Sequence, residues 1–433
     1  MNTPEQTRRD FLKAVTAASA VSMVVPRGAD AATPVVADAA SQRRVIGAND
    51  RIRIGVIGCG SRGIGTEMDT VNKSSKAENV EVVAVYDPWT KAREEAAAKA
   101  KEWFGVDARQ CRTYQELLDL KDVDAVFISS PDHWHATQLE AAAKAGKHIY
   151  VEKPMANEIG ELNRAYKAAN AAKNAGAVIQ VGTQLRSSPI ALGCRELLKS
   201  GKLGKISRIE QIRNADKPYW FQYLKPDVKA ADLDWKAFTK GNTKKPFDPI
   251  LYSGWYGYWE FSQGPVPQWG VHFLDLMHYI TGLGIPQTCV CLGGVYTWKD
   301  EHRFTAPDQV QALWHYPEGV MVSYSTNFGN SAGNTTRYLG DKGMLRLDWS
   351  KAVYTADGGI NRDGSIRGEN PVEPIEQTDH WVNWFRCMRD GKTPNASLDT
   401  GYQHSVASIM ATMSYASGRR ARFDAAKRTI TLD

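Results

Sequence analysis

The segment that decides the fold is RIGVIGCGSRG, residues 53–63. It begins with a short apolar run, which is typical of a buried strand in a parallel sheet. The run leads into a loop in which Gly58 permits a tight turn and Gly60 lets the backbone approach a phosphate group. Gly63 then allows the following helix to pack closely on the strand. The segment therefore predicts a strand, a glycine loop and a helix whose N-terminus faces a negative charge.

Strand and helix patterns alternate through the following 120 residues or so. The predicted strands are residues 53–57, 80–86, 125–129, 149–151 and 178–181. The predicted helices are a segment ending near residue 74 and residues 91–104, 137–145 and 160–175. This alternation indicates an α/β domain with a doubly wound parallel sheet.

An acidic residue, Asp87, ends the second predicted strand. With the glycine loop before it, this acid indicates a dinucleotide site in which Asp87 accepts hydrogen bonds from the adenosine ribose. A carboxylate there repels a 2′-phosphate, so the predicted cofactor is NAD rather than NADP. The alternative is an ordinary surface-turn acid before Pro88. The residues predicted to contact the pyrophosphate are Gly58, Gly60, Ser61, Arg62 and Gly63.

The N-terminus has the pattern of an export signal. Thr7-Arg8-Arg9-Asp10-Phe11-Leu12-Lys13 fills every position of a twin-arginine motif, a mildly apolar stretch follows, and Ala29-Asp30-Ala31 resembles a cleavage site. We interpret residues 1–31 as a removed signal peptide and residues 32–50 as a leader arm. The alternative is a chance arginine pair in a surface helix. The pattern predicts a periplasmic or secreted protein, exported folded by the twin-arginine translocation machinery.

Composition narrows the class of protein. The chain has 433 residues, 42 % of them hydrophobic and 24 % charged, which indicates a globular protein of two or three domains. Its net charge of +6 is spread without a basic block, so no nucleic-acid partner is expected. No apolar run is long enough to predict a membrane span, so no membrane insertion is expected after cleavage. The six cysteines lack CxxC spacing and are expected to be free and buried.

Several motifs beyond the glycine loop resemble one oxidoreductase family. Ser130-Pro131-Asp132-His133-Trp134-His135 is followed by Glu152-Lys153-Pro154 at a strand end, and Gly182-Thr183-Gln184-Leu185-Arg186-Ser187 comes next. Further along lie Leu233-Asp234-Trp235 and Trp269-Gly270-Val271-His272. In this order the motifs resemble the Gfo/Idh/MocA family, which includes glucose–fructose oxidoreductase and inositol dehydrogenase. The resemblance extends over about residues 52–424.

The resemblance implies a Rossmann domain, residues 51–182, and a substrate-binding and oligomerisation domain, residues 183–433. The second domain is expected to be α/β, with a large, open, mostly antiparallel sheet. Alternation at 309–316 and 320–327 around Pro317-Glu318-Gly319 supports this expectation by predicting a hairpin. Two helical segments near the C-terminus are candidates for packing on the first domain. An open sheet needs a cover, so a homodimer or homotetramer is expected.

The resemblance also assigns the chemistry. Lys153 matches the lysine that hydrogen-bonds the reacting hydroxyl group, and His272 matches the catalytic histidine, the general base or acid. The alternative interpretations are that the lysine is a solvated loop residue and that the histidine only makes hydrogen bonds to the backbone. Many relatives carry Asp four residues before the histidine, where this chain has Gln268. An amide cannot carry a charge or relay a proton, so two alternatives stay open: Asp275 or Lys153 substitutes, or the reaction differs from ordinary sugar dehydrogenation.

Other residues are assigned to the two ligands. Asp275, Arg186, Gln268 and Trp255 are expected to contact substrate. The loop around Trp134 is expected to border the nicotinamide. The remaining cofactor contacts are expected from Ser130, His133, His135, Glu152, Lys153 and Gln184. The aromatic residues before His272 suit either a sugar platform or a core. No metal site is expected, because His278 points away from the helix face that His272 and Asp275 share.

The favoured function is an NAD-dependent oxidoreductase that moves a hydride between a sugar or glycoside carbinol and a tightly bound nicotinamide. Two alternatives stay open. One is an NAD-dependent glycoside hydrolase or lyase that works by transient oxidation. The other is a non-catalytic carbohydrate-binding protein, which the intact Lys153 and His272 disfavour.

Overall fold

The structure is a computed structural model that describes residues 46–47, 49–241, 243–349, 351–356 and 364–433. The expected signal peptide and most of the expected leader arm lie outside the described residues. No helix in the described ranges is both long and apolar enough to cross a bilayer.

The first sheet has six strands, all paired in parallel, in the order β3-β2-β1-β4-β5-β6. Its strands are β1 (Ile52–Ile57), β2 (Val80–Tyr86), β3 (Arg109–Cys111), β4 (Ala125–Ile128), β5 (His148–Val151) and β6 (Ile179–Val181). Every residue of β4, β5 and β6 is buried, as expected for strands covered on both faces. The order reverses between β1 and β4, which places the ligand crevice at their carboxyl ends. The predicted Rossmann sheet is therefore confirmed.

Helices connect these strands. They are a π-helical turn at Gly63–Met68 that continues into α1 (Asp69–Glu78), then α2 (Thr90–Phe104), α3 (Tyr114–Leu118), α4 (Asp132–Lys144) and α5 (Ile159–Asn174). Two predictions need correction. The edge strand β3 was not predicted, because two of its three residues are exposed and polar. Helix α4 begins at Asp132 rather than near residue 137. Pro131, which is extended, is the N-cap residue, so the helix starts directly after it.

The second sheet has ten strands in the order β14-β13-β12-β11-β7-β10-β9-β8-β15-β16. Its strands are β7 (Ile206–Ile212), β8 (Thr288–Gly294), β9 (Gln309–Tyr316), β10 (Val320–Asn327), β11 (Thr335–Gly340), β12 (Met344–Asp348), β13 (Lys351–Thr355), β14 (Asn370–Pro371), β15 (Ala421–Asp424) and β16 (Thr429–Leu432). The pair β7–β10 is parallel, whereas β9 and β10 form the predicted antiparallel hairpin. The expected mostly antiparallel second sheet is thus confirmed.

The other α-helices described are α6 (Pro189–Lys199), α7 (Trp235–Thr239), α8 (Pro249–Ser253), α9 (Val271–Thr281), α10 (His380–Asp390) and α11 (Leu398–Ser417). Helix α10 packs on the first domain, where the Trp384 ring lies 5.0 Å from the Phe127 ring. Helix α11 reaches it as well, because a Cβ on Gly401 would lie 2.4 Å from the Met155 sulfur. The C-terminal helices therefore join both domains around one core.

One face of the ten-stranded sheet stays open. Alternate residues of its strands are buried against the helices, as in β9, where the inward positions end with Trp314 and Tyr316. The outward positions include exposed apolar side chains: Val290, Leu292, Leu313 and Met321. All six cysteines are buried and free, as expected, with Cys289 and Cys291 on the inward face of β8.

Candidate active site

The glycine loop joins β1 to the π-helical turn at the carboxyl edge of the first sheet. Gly58 has φ +94°, and a Cβ there would lie 2.5 Å from the Ser130 backbone nitrogen. A Cβ on Gly63 would lie 2.0 Å from the Gly58 carbonyl oxygen, so this position tolerates hydrogen alone. A Cβ on Gly60 would meet no protein atom within 4 Å. Gly58 and Gly63 therefore shape the loop, and Gly60 leaves free space beside it.

That space belongs to a cavity of about 570 Å³. The cavity extends from the glycine loop to the end of β2 and is covered by residues of the second domain. Its lining includes Gly58, Gly60, Ser61, Arg62, Asp87, Ser130, Tyr252, Trp255 and Tyr256. A glycine loop at a helix start, with an acid at the next strand end, fits the pyrophosphate and ribose of a dinucleotide. These residues are the ones that would hold NAD.

The Asp87 carboxylate lines this cavity while making two backbone hydrogen bonds. Its Oδ2 accepts from the Cys59 N–H at 2.8 Å, and its Oδ1 accepts from the Trp89 N–H at 2.8 Å. Burial raises the pKa of Asp87 to about 6, against the effect of these two donors and of Arg93. Each carboxylate oxygen keeps one lone pair for a further donor. The fixed carboxylate is therefore positioned to accept from a ribose hydroxyl.

A second cavity, of about 460 Å³, adjoins the first. The two have several lining residues in common: Arg62, Ser129, Ser130, Tyr223, Trp255 and Tyr256. The second cavity is also lined by Asp132, His135, Glu152, Lys153, Tyr219, Gln268, Trp269 and His272. The predicted catalytic residues Lys153 and His272 thus lie together, next to the predicted cofactor cavity.

Lys153, Gln268 and Asp132 form a chain of polar contacts in the second cavity. The Lys153 Nζ donates to the Gln268 backbone oxygen at 2.9 Å and to its side-chain Oε1 at 3.4 Å. The Gln268 Nε2 donates in turn to the Asp132 Oδ2. Burial lowers the pKa of Lys153 and raises that of Asp132 to about 8. The Gln268 amide therefore bridges a buried amine and a buried acid.

His272 lies near the start of α9, half-buried in the same cavity. Its Nδ1 is buried and makes no hydrogen bond within the described structure. Burial, together with the Lys153 charge, lowers the pKa of His272 to about 3. The imidazole is therefore neutral near pH 7 and has a nitrogen lone pair with which to accept a proton.

Arg62 and Glu152 connect the two cavities. The Arg62 Nε and Nη2 both contact the Glu152 Oε1, at 2.9 and 2.5 Å, and the Arg62 Nε also lies 2.9 Å from the Glu67 Oε1. Burial alone would raise the pKa of Glu152, but Arg62 and Lys153 lower it to about 2. Burial raises the pKa of Glu67, which shares the same guanidinium. Glu152 is therefore the ionised partner of Arg62, and it immediately precedes Lys153.

Two predicted substrate contacts, Arg186 and Asp275, lie outside the second cavity. Arg186 and Asp275 pair with each other in the interior, with Nε to Oδ2 at 2.8 Å and Nη2 to Oδ1 at 2.9 Å. The Asp275 Oδ1 also contacts the His404 Nδ1 at 3.0 Å. Neither residue lines the second cavity, because these partners hold both charges within the core. Asp275 therefore does not replace the carboxylate missing at Gln268.

The expected nicotinamide border is partly corrected as well. His133 and His135 lie in the first turn of α4, not in a loop. The His133 Nε2 contacts the Phe238 carbonyl oxygen at 2.7 Å, and this residue lines neither cavity. His135 lines the second cavity, with its Nδ1 2.7 Å from the Pro154 oxygen. Gln184 lies behind Glu152, with its Nε2 3.2 Å from the Glu152 Oε1, and supports that side chain rather than lining either cavity.

The aromatic residues divide between the two roles left open by the sequence. Trp255 and Tyr256 stack at 3.7 Å and line both cavities. Trp220 and Tyr258 are buried in an aromatic core instead. His278 contacts the Tyr316 hydroxyl at 2.8 Å. Among the residues that the structure describes, no three His, Cys, Asp or Glu side chains group as metal ligands.

Asp132 is a charged residue of the second cavity that was not predicted as a site residue from the sequence. It follows β4 at the carboxyl edge of a parallel sheet, where ligands bind in this architecture. It is also the first residue of α4, where the helix dipole favours a negative charge. These two signals together were sufficient to identify it.

Comparison with known proteins gives two matches to one family. The oxidoreductase family with an NAD-binding Rossmann fold, GFO/IDH/MocA, matches residues 52–183. The GFO/IDH/MocA C-terminal domain matches residues 237–346. The two ranges together make up more than half of the chain.

Two curated relatives each match about a third of the chain. Glycosyl hydrolase family 109 protein 2 of Shewanella sp. (strain ANA-3) is 37 % identical over 164 residues, 36 % of this chain and 35 % of that protein. Inositol 2-dehydrogenase of Salmonella typhimurium is 28 % identical over 154 residues, 36 % of this chain and 43 % of that protein. The chain thus spans between a third and a half of the length of these relatives.

Solved structures match over most of the chain. The WlbA dehydrogenase from Bordetella pertussis, in complex with NADH and UDP-GlcNAcA, is 21 % identical with a TM-score of 0.63. That match covers 87 % of this chain and 98 % of that one. A levoglucosan dehydrogenase in complex with NADH and levoglucosan is 18 % identical with a TM-score of 0.63, covering 88 % and 99 %. These similarities show that the chains share one fold.

Proposed function

Because this chain belongs to the GFO/IDH/MocA oxidoreductase family, with its NAD-binding Rossmann domain, we propose that it oxidises or reduces a sugar or glycoside carbinol. The observation that carries the proposal is the joined pair of cavities. One contains the glycine loop and Asp87, and the other contains Lys153 and His272. Sugars or a sugar nucleotide occupy several structures of the same fold, which supports this substrate class.

The chain's own residues divide the work. When bound, the nicotinamide supplies the hydride acceptor or donor. The Lys153 Nζ hydrogen-bonds the oxygen that gains negative charge, and His272 contacts the hydroxyl group as its acid–base residue. Trp255 and Tyr256 present stacked aromatic faces at the junction of the cavities, where they suit the apolar face of a sugar ring. Lys153 and His272 in one cavity disfavour a purely carbohydrate-binding role.

We propose further that the cofactor stays bound and that the protein works outside the cytoplasm. The twin-arginine pattern at residues 7–13 supports export of a folded, loaded protein. Free NAD is scarce outside the cell, so the hydride must return to a second substrate or to the first. Residues of the second domain cover the cofactor cavity, which supports slow release. Replacing Arg8 and Arg9 with Lys should leave the protein in the cytoplasm, as cell fractionation would show.

The exposed apolar face of the ten-stranded sheet supports the proposed homo-oligomer. Leu292, which is 75 % exposed, lies on this face. A charge there should repel a second copy without entering the core. Leu292→Asp should therefore sediment as a smaller species than the wild type, with its cofactor content unchanged.

One experiment tests the oxidoreductase proposal. The mature protein is dialysed extensively, part is denatured to release and count nicotinamide, and the rest is mixed with a panel of sugars and glycosides. We expect about one cofactor per chain and a rise of NADH absorbance with at least one sugar. A chain that holds no nicotinamide and reduces none when it is supplied would contradict the proposal.

The second candidate is an NAD-dependent glycoside hydrolase. The Shewanella relatives named as glycosyl hydrolases favour it, since they match at 37 % identity. Transient oxidation at C3 would acidify the neighbouring C2–H bond, and loss of that proton would expel the aglycone from C1. Water would then add at C1 as a proton returns to C2, and the hydride would return to C3. Incubation with aryl glycosides in the absence of added NAD separates the two functions. Release of the phenol supports the hydrolase, whereas NADH accumulation without phenol supports the dehydrogenase.

A further inference from the structure

A buried carboxylate in the second cavity has no role in the chemistry described so far. Asp132 is 2 % exposed and lines the cavity that contains Lys153 and His272. A buried acid costs stability unless its surroundings compensate, so its placement calls for a reason. The helix N-terminus of α4 and the Gln268 amide provide that compensation.

Gln268 explains why Asp132 is needed. Its side chain is an amide, which cannot take a proton. In this structure the amide of Gln268 instead donates to Asp132 and accepts from Lys153. The carboxyl group next to this lysine and amide is therefore that of Asp132, one hydrogen bond from Gln268. Asp275 cannot provide it, because Arg186 and His404 occupy both of its oxygens.

We propose that Asp132 is the acid–base residue that finally holds the proton released by the substrate hydroxyl group, and that Gln268 is its positioning residue. The inference rests on the proposed oxidoreductase function. In the oxidation, the hydroxyl O–H bond breaks and an O–H bond forms on the Asp132 carboxyl group. The C–H electron pair leaves as hydride for the nicotinamide, and the carbinol becomes a carbonyl group. Reduction reverses each change.

The protonation states of the cavity support this assignment. His272, with its pKa lowered by burial, does not retain a proton near pH 7, so a proton that reaches it must move on. Burial places the pKa of Asp132 close to neutrality, where an acid–base residue works best. The groups that face Asp132 are Lys153, which opposes the rise of its pKa, together with Glu152, Ser262, Tyr219 and Tyr256.

The test compares two carboxylates at opposite ends of strand β4. Asp132→Asn keeps an oxygen that can accept from Gln268 but cannot take a proton, and it should lower turnover by ~10²–10⁴-fold with the cofactor content unchanged. The matched control is Asp124→Asn, since Asp124 is 5 % exposed and precedes the same strand. The control should keep wild-type turnover.

A double variant distinguishes loss of the acid–base group from loss of structure. Asp132→Asn combined with Gln268→Asp exchanges amide and carboxylate, and it should recover part of the lost turnover. Gln268→Met removes the donor that stabilises the ionised acid, so the pH at which oxidation switches on should move upward. This second variant keeps the test decisive if Asp132→Asn does not fold.

A readout that needs no turnover distinguishes this inference from the proposed function. In infrared spectra, the wild type should show a protonated carboxyl band that is lost between about pH 7 and 9 and is absent in Asp132→Asn. If no sugar reduces the cofactor but the band titrates, the proposed function fails and the proton-holding carboxyl group stands. Wild-type turnover in Asp132→Asn, or no titrating band, overturns the inference.

Discussion

Replacing Gly60 with Ala tests whether the glycine loop holds the cofactor or merely shapes the fold. A Cβ at this position meets no protein atom within 4 Å, and the Gly60 φ lies outside the left-handed region. The added methyl group therefore leaves the folded chain unstrained. By restricting the unfolded chain it should raise the free energy of unfolding slightly, by about 0.4–1 kcal/mol.

The same methyl group projects into the cavity of about 570 Å³ that would hold NAD. Forcing an extra methyl group into a filled space costs about 1–3 kcal/mol. Because every 1.4 kcal/mol is a factor of ten, the dissociation constant for NAD should rise roughly five- to 150-fold. Gly60→Ala is thus expected to be slightly more stable than the wild type and to bind NAD poorly.

The assay pairs thermal unfolding with NAD titration of cofactor-free protein by calorimetry. Two variants serve as controls. Gly160→Ala, in α5, meets no atom closer than 3.7 Å, so it should raise the stability by a similar small amount and leave NAD binding unchanged. Gly63→Ala should lose stability, because its Cβ would lie 2.0 Å from a carbonyl oxygen. A Gly60→Ala protein that is folded and binds NAD with wild-type affinity would refute the placement of the pyrophosphate at this loop.

Three further predictions concern buried ionisable side chains. Asp87→Ser should weaken NAD binding by about 1.5–3 kcal/mol, the strength of a hydrogen bond to a charged group, and should tighten NADP binding; a wild type that binds both cofactors equally in titrations would contradict this. His272→Ala should lower turnover by ~10²–10⁴-fold, yet leave the shape of the pH–rate profile between pH 5 and 8 unchanged, because burial keeps the imidazole neutral there. Asp275→Asn should cost about 3–5 kcal/mol in urea unfolding at pH 7, since it leaves Arg186 buried without its partner. Burial opposes the effect, but Arg186 lowers the pKa of Asp275. The stabilisation by the ion pair is therefore complete above about pH 4 and is lost as the pH falls further. If Asp275→Asn were equally destabilising at pH 2 and at pH 7, the ion pair would not be the source of the stabilisation.

The first domain was predictable because its signals are local. The strand β2 was predicted with its observed bounds, and β1 to within one residue, since buried parallel strands are continuous apolar runs. The hairpin of β9 and β10 was also predicted, because strict alternation determines which face of a strand is buried. The edge strand β3 lacks such a signal, because only one of its three residues is buried.

Individual residues of the candidate site could be predicted only where they belong to a recognisable sequence motif. Lys153 and His272 were expected from their motifs, and the structure brings both into one cavity. Arg186 and Asp275 were also expected to contact a ligand, but they lie outside that cavity. A charged side chain gives the same sequence pattern whether it faces a ligand or another charged side chain. Their bidentate ion pair joins the segment before α6 to α9, positions 89 residues apart, and no local pattern records such a pairing.

Among the residues that line both cavities, Arg62 gives a route by which a bound cofactor would influence Lys153. Arg62 belongs to the glycine loop, but its guanidinium group pairs with the carboxylate of Glu152, the residue before Lys153. A pyrophosphate bound beside the loop would compete with Glu152 for that guanidinium. A Glu152 carboxylate released from Arg62 would stabilise the ammonium form of Lys153, which burial disfavours. A bound cofactor would therefore favour the protonated lysine that a developing alkoxide requires.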